Sequence, residues 1–453
     1  MSSYIKQITD KWEPVLNYDG IAPITDSHKR AVTALLFENM AQDAAEQKSA
    51  ALMEADIPNV SGDLSGGSTG NLARFDPILI SLIRRAAPMM IAFDVAGVQP
   101  MTGPTGLIFA LRSGYANTTS GYTQEALFNE ALTGFSGDAN TQTSLSGVNP
   151  AQGAVSNTIL TTGLGTSTLL GETDAAWPQM GFSLEKHQVT AKTRRLKADF
   201  TIELAQDLKK VNNLDAEQEL ANILSTEIVF EQNREIIRTI YNIAKPGGTA
   251  NTGVVNIDNV NGDINGRYFA EQWRGLRFLI ERDAIKIQKD TRRGKGNVLI
   301  VDAETAAALA MIGVLDYSLI SKEAALSAMP DETTSTFVGN IGKIKVFVDP
   351  YIDLGQNFYI VGYKGTSPYD AGLFYCPYLP LQKFQVTNPY TFQPSIGFKT
   401  RYGITESPFA YDQSALLGGG QNGTDQATFT GNPIVANSHK NKYFRVSLVQ
   451  NLV

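Results

Sequence analysis

The sequence predicts an α+β fold, and three observations support this prediction. Two long stretches, near residues 215–245 and 268–290, carry apolar residues at three- and four-residue steps, which predicts helices. Short runs rich in β-branched and aromatic residues appear after residue 296, which predicts strands. Helical and strand segments do not alternate regularly, and the sequence has no internal repeat, which favours α+β over a doubly wound α/β sheet.

Composition and charge limit the classes of function. The chain has 453 residues, 43% of them hydrophobic and 18% charged, enough apolar material for two or three folded lobes. A net charge of -7 argues against a general nucleic-acid binder, because phosphate binding needs a dominant positive field. The single cysteine, Cys376, excludes an internal disulfide and a cysteine-based zinc site. With neither a secretory signal nor an apolar run of about 20 residues, we expect a soluble protein made in the cytosol, without cofactors or membrane contact.

The N-terminal part predicts a helical hairpin followed by a linker. Residues 4–16 and 26–52 have amphipathic helical patterns, and Pro14 together with residues 19–23 separates them. Residues 59–71 read NVSGDLSGGSTGN, a composition typical of flexible linkers. The stretch ALMEADIP, residues 51–58, therefore lies at the boundary between an ordered leader and a flexible segment.

The middle of the chain predicts mixed short elements. The segment from Pro77 predicts a short helix before Pro88, a buried strand, a Gly-Pro turn and a second strand. Residues 113–176 are rich in Gly, Ser, Thr and Asn, with one helix-like island at 124–132, and predict a long projecting hairpin or excursion. Residues 183–204 mix β-branched and charged positions and predict a half-exposed strand that leads into a helix.

The clearest helix begins after Asn213. Asp215 is a good N-cap, Gln218 has the spacing of a capping box, and Pro246 with Gly247 ends the helical pattern. Such a helix is roughly 40 Å long. After the second long helix we expect the loop RRGKG, the strand NVLIVD and an alanine-rich helix over 304–312, followed by the strands KIKVFVDPY, QNFYIVGYKG, GLFYCPYLPLQKFQ, IGFKTRYGI and YFRVSLVQNLV.

Two patterns resemble chemical sites but lack the context that the chemistry needs, and the histidines form no such pattern. Residues 66–70 match the G-x-S-x-G elbow around Ser68, yet no apolar strand precedes them, so a linker is the simpler interpretation. A calcium-loop spacing at Asn261, Asp263, Asn265 and Gly266 ends on Gln272 where a bidentate glutamate is needed, which favours an ordinary turn. No histidine has a partner at metal or triad spacing; the three are His28, His187 and His439.

Two basic clusters need another explanation. They lack the interleaved aromatic residues of nucleic-acid surfaces, and the chain as a whole is acidic. We interpret them as contacts to acidic faces of neighbouring subunits, for example the glutamate-rich long helix. The first cluster comprises Lys192, Arg194, Arg195 and Lys197, and the second comprises Arg292, Arg293 and Lys295.

Several long sequence segments, in order along nearly the whole chain, resemble segments of the major capsid proteins of T4-like tailed bacteriophages. They are RRAAPMMIAFDVAGVQPMTGPTG, LKADFTIELAQDL, ILSTEIVFEQNRE, RRGKGN, VGYKG with DAGLFYCPY, and FQPSIGFKTRYGI, with WEPVL, ALLFENM and KNKYFRVSLV towards the ends. The resemblance implies the HK97-type capsid fold, with an N-arm, an extended E-loop, a peripheral domain holding a long spine helix, and an axial domain. The span 113–177 is short and rich in Gly and Thr compared with the inserted domain that family members carry in the E-loop.

On this resemblance the chain divides into seven parts. We expect a helical propeptide at 1–54, an N-arm at 55–85, the start of the peripheral domain at 86–112, an E-loop with a short insertion at 113–182, the peripheral domain with the spine helix at 183–300, the axial domain at 301–375, and returning strands with the C-terminal segment at 376–453.

The resemblance also explains ALMEADIP. In this family the prohead protease removes the propeptide by cutting after glutamate in an apolar-x-Glu context. Leu52, Met53 and Glu54, followed by Ala55, match that context, so we expect cleavage after Glu54. The alternative is an ordinary glutamate at the end of a helix.

The function implied is that of a non-enzymatic shell protein. It would assemble as homo-hexamers into the icosahedral or prolate head of a tailed phage, in the host cytoplasm, and remain in the virion around double-stranded DNA without binding it specifically. Expected partners are other capsid subunits, scaffold, vertex and portal proteins, the prohead protease and decoration proteins. The alternatives are an encapsulin-like compartment shell and a serine hydrolase using Ser68.

Overall fold

The computed structural model describes residues 3–17, 24, 26–54, 90–117, 121–126, 135–136, 138–144, 161–164, 177–211, 214–248, 253–257, 269–311, 336–349, 351, 357–367, 369–387, 393–410 and 440–451. The helices in these residues are α1 (Ser3–Lys11), α2 (Glu13–Leu16), α3 (Ser27–Glu54), α4 (Ala92–Val95), α5 (Ile202–Val211), α6 (Ala216–Ile243), α7 (Phe269–Thr291) and α8 (Ala303–Met311). No helix in the described residues is long and apolar enough to cross a membrane.

Within the described residues the strands form four sheets, and the α+β prediction is confirmed. The strands are β1 (Gly97–Val98), β2 (Thr105–Asn117), β3 (Gly121–Glu125), β4 (Asp138–Ser144), β5 (Thr161–Leu164), β6 (Met180–Thr190), β7 (Lys192–Asp199), β8 (Ala244–Pro246), β9 (Val254–Asn256), β10 (Val298–Asp302), β11 (Thr336–Ile341), β12 (Ile344–Asp349), β13 (Asn357–Gly362), β14 (Leu373–Thr387), β15 (Pro394–Glu406) and β16 (Asn441–Gln450). One sheet has the order β1-β14-β15-β7, and a larger one has the order β11-β12-β10-β13-β16-β8 with β9 beside β16. The other two are β3-β2-β6 and the pair β4-β5.

Helices cover both faces of the larger sheet. Successive residues of a strand point to opposite faces, and β10 is buried at every position because each face meets a helix. Val298 and Ile300 pack with the C-terminal half of α6, whereas Leu299 and Val301 pack with α7 and α8. An ion pair between Arg234 of α6 and the fully buried Asp349 of β12 ties the long helix to the sheet.

The long helix has the predicted cap. Asp215 has an extended backbone, and its carboxylate accepts a hydrogen bond from the Glu217 amide at 3.1 Å. This bond satisfies one of the amides that an α-helix leaves without an internal partner at its N-terminus. The helix then runs for 28 residues, and the backbone becomes strand at Ala244.

Two local predictions were wrong. The apolar run before Gly97 is not a strand, because Ala92–Val95 forms the helical turn α4 and only Gly97 and Val98 pair with β14. Short buried apolar runs cannot be assigned from periodicity alone. At the start of the predicted helical island, Gln124 and Glu125 lie in β3, because β2 supplies a ladder of backbone hydrogen bonds. The residues after 126 in that island lie outside the described residues.

Sheet membership does not follow the order of the chain. The larger sheet contains β8 to β13 and β16, whereas β14 and β15, which lie between β13 and β16 in sequence, pair with β1 and β7 in another sheet. Four predicted domain boundaries, after residues 112, 182, 300 and 375, fall within the continuous strands β2, β6, β10 and β14. The seven-part division stays a prediction.

Candidate interaction surfaces

Strands β2 and β6 form an antiparallel ribbon with an uncovered apolar face. Residues directly opposite in an antiparallel pair lie on the same face, and Leu111 is opposite Leu184. The large apolar side chains on this face are between 55% and 71% exposed; they are Leu107, Phe109, Leu111, Met180, Phe182 and Leu184. Exposed apolar patches of this kind mark interaction surfaces for a protein, a membrane or a ligand. At 13 residues, β2 is roughly 40 Å long.

The sequence predicted a projecting hairpin or excursion over 113–176 and a half-exposed strand from residue 183, but it did not reveal this apolar face. Met180, Phe182 and Leu184 alternate with Gly181, Ser183 and Glu185, which is the signal of a strand with one apolar side. In a single chain that side would be expected to face a core. Only the structure shows that the described part of the chain leaves it open.

The ribbon is anchored at its root, the small cluster where it meets the β14-β15 sheet. Met101, Val189, Phe374 and Cys376 are all buried there. Burial raises the pKa of the Cys376 thiol to about 12, so the thiolate is not formed near neutral pH. Gly403 is needed at the root because a Cβ at this position would lie 2.5 Å from Val189 Cγ1.

Helix α5 provides a second uncovered apolar surface. None of its residues is buried, although Leu204, Leu208 and Val211 recur at helical spacing. Leu204 is 51% exposed and Val211 is 80% exposed. Ile223 of α6, which is 56% exposed, is a further uncovered apolar side chain in this part of the chain.

The first basic cluster divides into inward and outward positions. Arg194 of β7 points to α6 of the same chain, where its guanidinium contacts Glu231 at 3.0 Å, Glu235 at 2.6 Å, and the Tyr402 hydroxyl. Burial lowers the pKa of Arg194, but the hydrogen bond to Glu235 and the charges of Tyr402 and Glu235 raise it by more. Its pKa is therefore raised overall. The partner predicted in a neighbouring subunit, a glutamate on the long helix, is thus found for Arg194 within the chain.

The other members of the first cluster face outward. Lys192 and Arg195 are exposed, and Lys197 forms an exposed ion pair with Asp199 at 3.0 Å. In the second cluster, Arg293 binds Asp370 at 3.2 Å and Lys295 pairs with Glu281. Arg292 directly follows α7, has a φ of 55° and is exposed. Lys192, Arg195 and Arg292 are therefore the cluster members whose charge remains most available to another molecule.

We expect substitution of the inward-facing Arg194 to destabilise the protein and substitution of the outward-facing Arg195 to leave its stability unchanged. Arg194→Met leaves Glu231 and Glu235 without their shared cation, and we expect a loss of about 1 kcal/mol in unfolding free energy after allowance for solvent screening. Arg195→Met, one residue further on, is the matched control and should leave the urea midpoint unchanged. Equal midpoints for the two variants would contradict the inward role of Arg194.

Most residues of the patterns that resembled chemical sites lie outside the described part of the chain. Ser68, Asn261, Asp263, Asn265, Gly266 and His439 lie outside that part. Gln272, the last position of the calcium-loop spacing, is buried in α7. Within the described ranges no group of three or more His, Cys, Asp and Glu side chains is placed to hold a metal ion.

The predicted cleavage triplet lies at a helix end. Helix α3 continues through Leu52 to Glu54, and Ala55 is the first residue outside the described range. Upstream of this point α1, α2 and the first half of α3 pack against the body of the protein, with Trp12 and Phe37 both buried.

Comparison with known proteins finds a matching family profile and several similar proteins. The profile of the family "Major capsid protein Gp23" matches residues 72–449. The major capsid protein of Salmonella phage ViI is 37% identical, over 99% of this chain and 98% of its own length. That of Enterobacteria phage T4 is 33% identical, over 97% of both chains. Among solved structures, a chain of the capsid of Myoviridae phage XM1 aligns with a TM-score of 0.37 and 8% identity, over 79% of this chain and 92% of that one.

Proposed function

The chain belongs to the Gp23 family of major capsid proteins, and from that premise we propose that it assembles as hexamers into the head shell of a tailed phage and matures by loss of residues 1–54. The family consists of structural shell proteins, so the chain is a component of the virion head. The hexamer, the cleavage and the subsequent expansion of the shell are the proposed steps. Assembly would take place in the host cytoplasm.

The observation that carries the proposal is the exposed apolar face of the β2-β6 ribbon. A ring of identical subunits needs head-to-tail contacts, which join two different surfaces of each chain. The ribbon face is one such surface, and its length lets it reach across a neighbouring subunit. Helix α5 with Ile223 is a candidate for the complementary apolar surface. We propose Lys192, Arg195 and Arg292 as charged contacts at these interfaces, with Arg194, Lys197, Arg293 and Lys295 fixing the elements that present them.

Cleavage after Glu54 would make assembly irreversible. Removal of a docked pro-segment changes the contacts available to the shell, and hydrolysis leaves no route back. The Leu52-Met53-Glu54 context and its position at the end of α3, directly before Ala55, support this site. The proposed partners are the prohead protease together with scaffold, portal, vertex and decoration proteins. Double-stranded DNA would be enclosed without specific binding, consistent with the net charge of -7.

The proposal is tested by coexpression of the full chain with the scaffold and prohead protease of the same phage. Large particles should form, and intact-mass measurement should find a subunit that begins at Ala55. Glu54→Gln should leave the subunit uncut at this position, because the protease reads the glutamate. Glu46→Gln, in the same helix, is the matched control and should mature normally. A mature subunit that begins elsewhere would refute the cleavage site, and a monomer without particles would refute the assembly.

A further inference from the structure

The described part of the leader, residues 3–17, 24 and 26–43, occupies an apolar groove on the body of the protein. The floor of the groove comes from α6 and from the β14-β15 sheet; its buried members are Ala221, Leu224, Ile228, Leu381, Ile396 and Phe398. The leader fills it with Ile8, Trp12, Leu16, Ala34, Leu35, Phe37 and Met40. Residues that the proposed cleavage would remove therefore complete one of the hydrophobic cores.

The two leader segments are fastened to each other and can act as one unit. The Trp12 indole N–H donates to the Glu38 carboxylate at 2.9 Å, and Lys11 binds the same carboxylate at 2.7 Å. Arg30 pairs with Glu13 at 3.2 Å, and the rings of Trp12 and Phe37 are 5.5 Å apart. Contacts of this kind hold a helical hairpin together even where each helix alone is too short to be stable.

Asn39 connects the leader to the root of the ribbon. Its side chain is 5% exposed, and its amide donates one hydrogen bond to the Met101 carbonyl at 2.7 Å and another to the Tyr378 carbonyl at 2.9 Å. Met101 precedes β2, whereas Tyr378 belongs to β14. One leader side chain therefore bridges the strand entering the ribbon and the sheet that supports the ribbon.

The Asn39 bridge extends a short ladder of backbone hydrogen bonds between the segment before β2 and strand β14. The Gln99 amide donates to the Tyr375 carbonyl and the Met101 amide donates to the Pro377 carbonyl, both at 2.9 Å. Without Asn39, the Met101 and Tyr378 carbonyls would lose the bonds that close this ladder at the ribbon root. A buried carbonyl left without a donor costs about 1–3 kcal/mol unless the structure rearranges or water enters.

We propose that the leader is a docked helical ligand of the body, and that it latches the root of the β2-β6 ribbon through Asn39. The latch rests only on the contacts above, whereas its natural release rests on the proposed cleavage after Glu54. In that step water adds across the Glu54–Ala55 amide, leaving a carboxylate on Glu54 and an amine on Ala55. The leader then loses its covalent tether, and with it the high effective concentration that keeps a tethered ligand bound. Its departure opens the groove and frees the ribbon to change its angle to the body.

The single thiol of the chain reports on the latch, because Cys376 lies in the ribbon root. In the uncut full-length protein, we expect Asn39→Ala to increase the rate of Cys376 labelling by a soluble disulfide reagent at least about 10-fold, a change of 1.4 kcal/mol in the opening equilibrium. Hydrogen exchange should rise in 105–117 and 180–190 but not in β10 or β13. Asn17→Ala is the matched control, because the Asn17 amide donates to Glu13 within the leader at 3.3 Å. Wild-type labelling in Asn39→Ala would overturn the proposal.

A second experiment does not depend on the Asn39 variant folding or on the natural cleavage site. Residues 51–58 are replaced by the recognition sequence of a site-specific protease, and the folded full-length chain is cut. The leader fragment should co-elute with the body at high protein concentration and keep Cys376 slow to label. Dilution should release it and accelerate labelling. If the fragment separates while Cys376 stays protected, the latch is wrong, whatever the natural protease does.

Discussion

Asp283→Ala is expected to reduce the free energy of unfolding by about 3–5 kcal/mol, the cost of removing one partner from a buried ion pair. The Asp283 side chain is fully buried on α7 and pairs with Lys286 at 3.2 Å. Its carboxylate also accepts hydrogen bonds from the Tyr359 hydroxyl at 2.8 Å and from the Gly248 amide at 3.0 Å. Alanine would leave these donors buried without an acceptor.

The same carboxylate shapes the turn after β8. A Cβ on Gly247 would lie 2.6 Å from Asp283 Oδ2, and Gly248 has a φ of 73°, which favours glycine. Burial raises the pKa of Tyr359, and the charge of Asp283 raises it further, so the hydroxyl remains a donor at neutral pH. Asp283 therefore joins α7, β13 and the turn at one point.

Urea unfolding of the uncut chain measures the free energy of unfolding of each Asp283 variant. Asp283→Asn should fall between wild type and alanine, because an amide keeps an acceptor but loses the charge that faces Lys286. Asp207→Ala, on the exposed surface of α5, is the control and should leave the midpoint unchanged. An alanine variant at Asp283 as stable as the control would contradict the structural role of this carboxylate.

Phe182→Asp is expected to abolish particle assembly without unfolding the subunit. Phe182 is 71% exposed, so a carboxylate there remains solvated in the free chain. In the proposed shell the same position is covered by a neighbour, and an unpaired carboxylate must then lose its hydration. The penalty recurs at every subunit contact, and we expect the concentration needed for assembly to rise about 100-fold or more, equivalent to roughly 2.7 kcal/mol per contact.

Light scattering of assembly reactions measures the concentration that each variant needs for assembly. Circular dichroism shows whether each variant keeps its fold. Phe182→Leu should assemble, because it keeps an apolar side chain. Phe278→Asp is a matched control, since Phe278 on α7 is 66% exposed but lies outside the ribbon. Normal assembly of Phe182→Asp would show that the ribbon face is not the interface, and equal loss in both aspartate variants would show that the effect is not specific to the ribbon.

Local features of the sequence determined most of the secondary structure. Asp215, Pro246 and the helical spacing between them predicted α6 to within a few residues, because caps and apolar periodicity act over one or two turns. The late strands were also predicted from local features, the short runs rich in β-branched and aromatic residues. The predictions for the apolar run at α4 and for the start of β3 were wrong. Periodicity does not distinguish a short buried strand from a helical turn, and Gln124 and Glu125 become strand because they pair with the neighbouring β2.

The sequence by itself also determined the family, through long ordered phrases, and the position of the Leu52-Met53-Glu54 triplet. Only the tertiary structure decided how side chains of similar type are used. It turned Arg194 inward to Glu231 and Glu235 and left Arg195 outside, although the two are adjacent. It left the alternating apolar residues of β6 uncovered and placed Asn39 on the carbonyls of two distant segments. Spacing along a chain specifies which face of an element a residue occupies, whereas what covers that face depends on contacts between residues far apart in sequence.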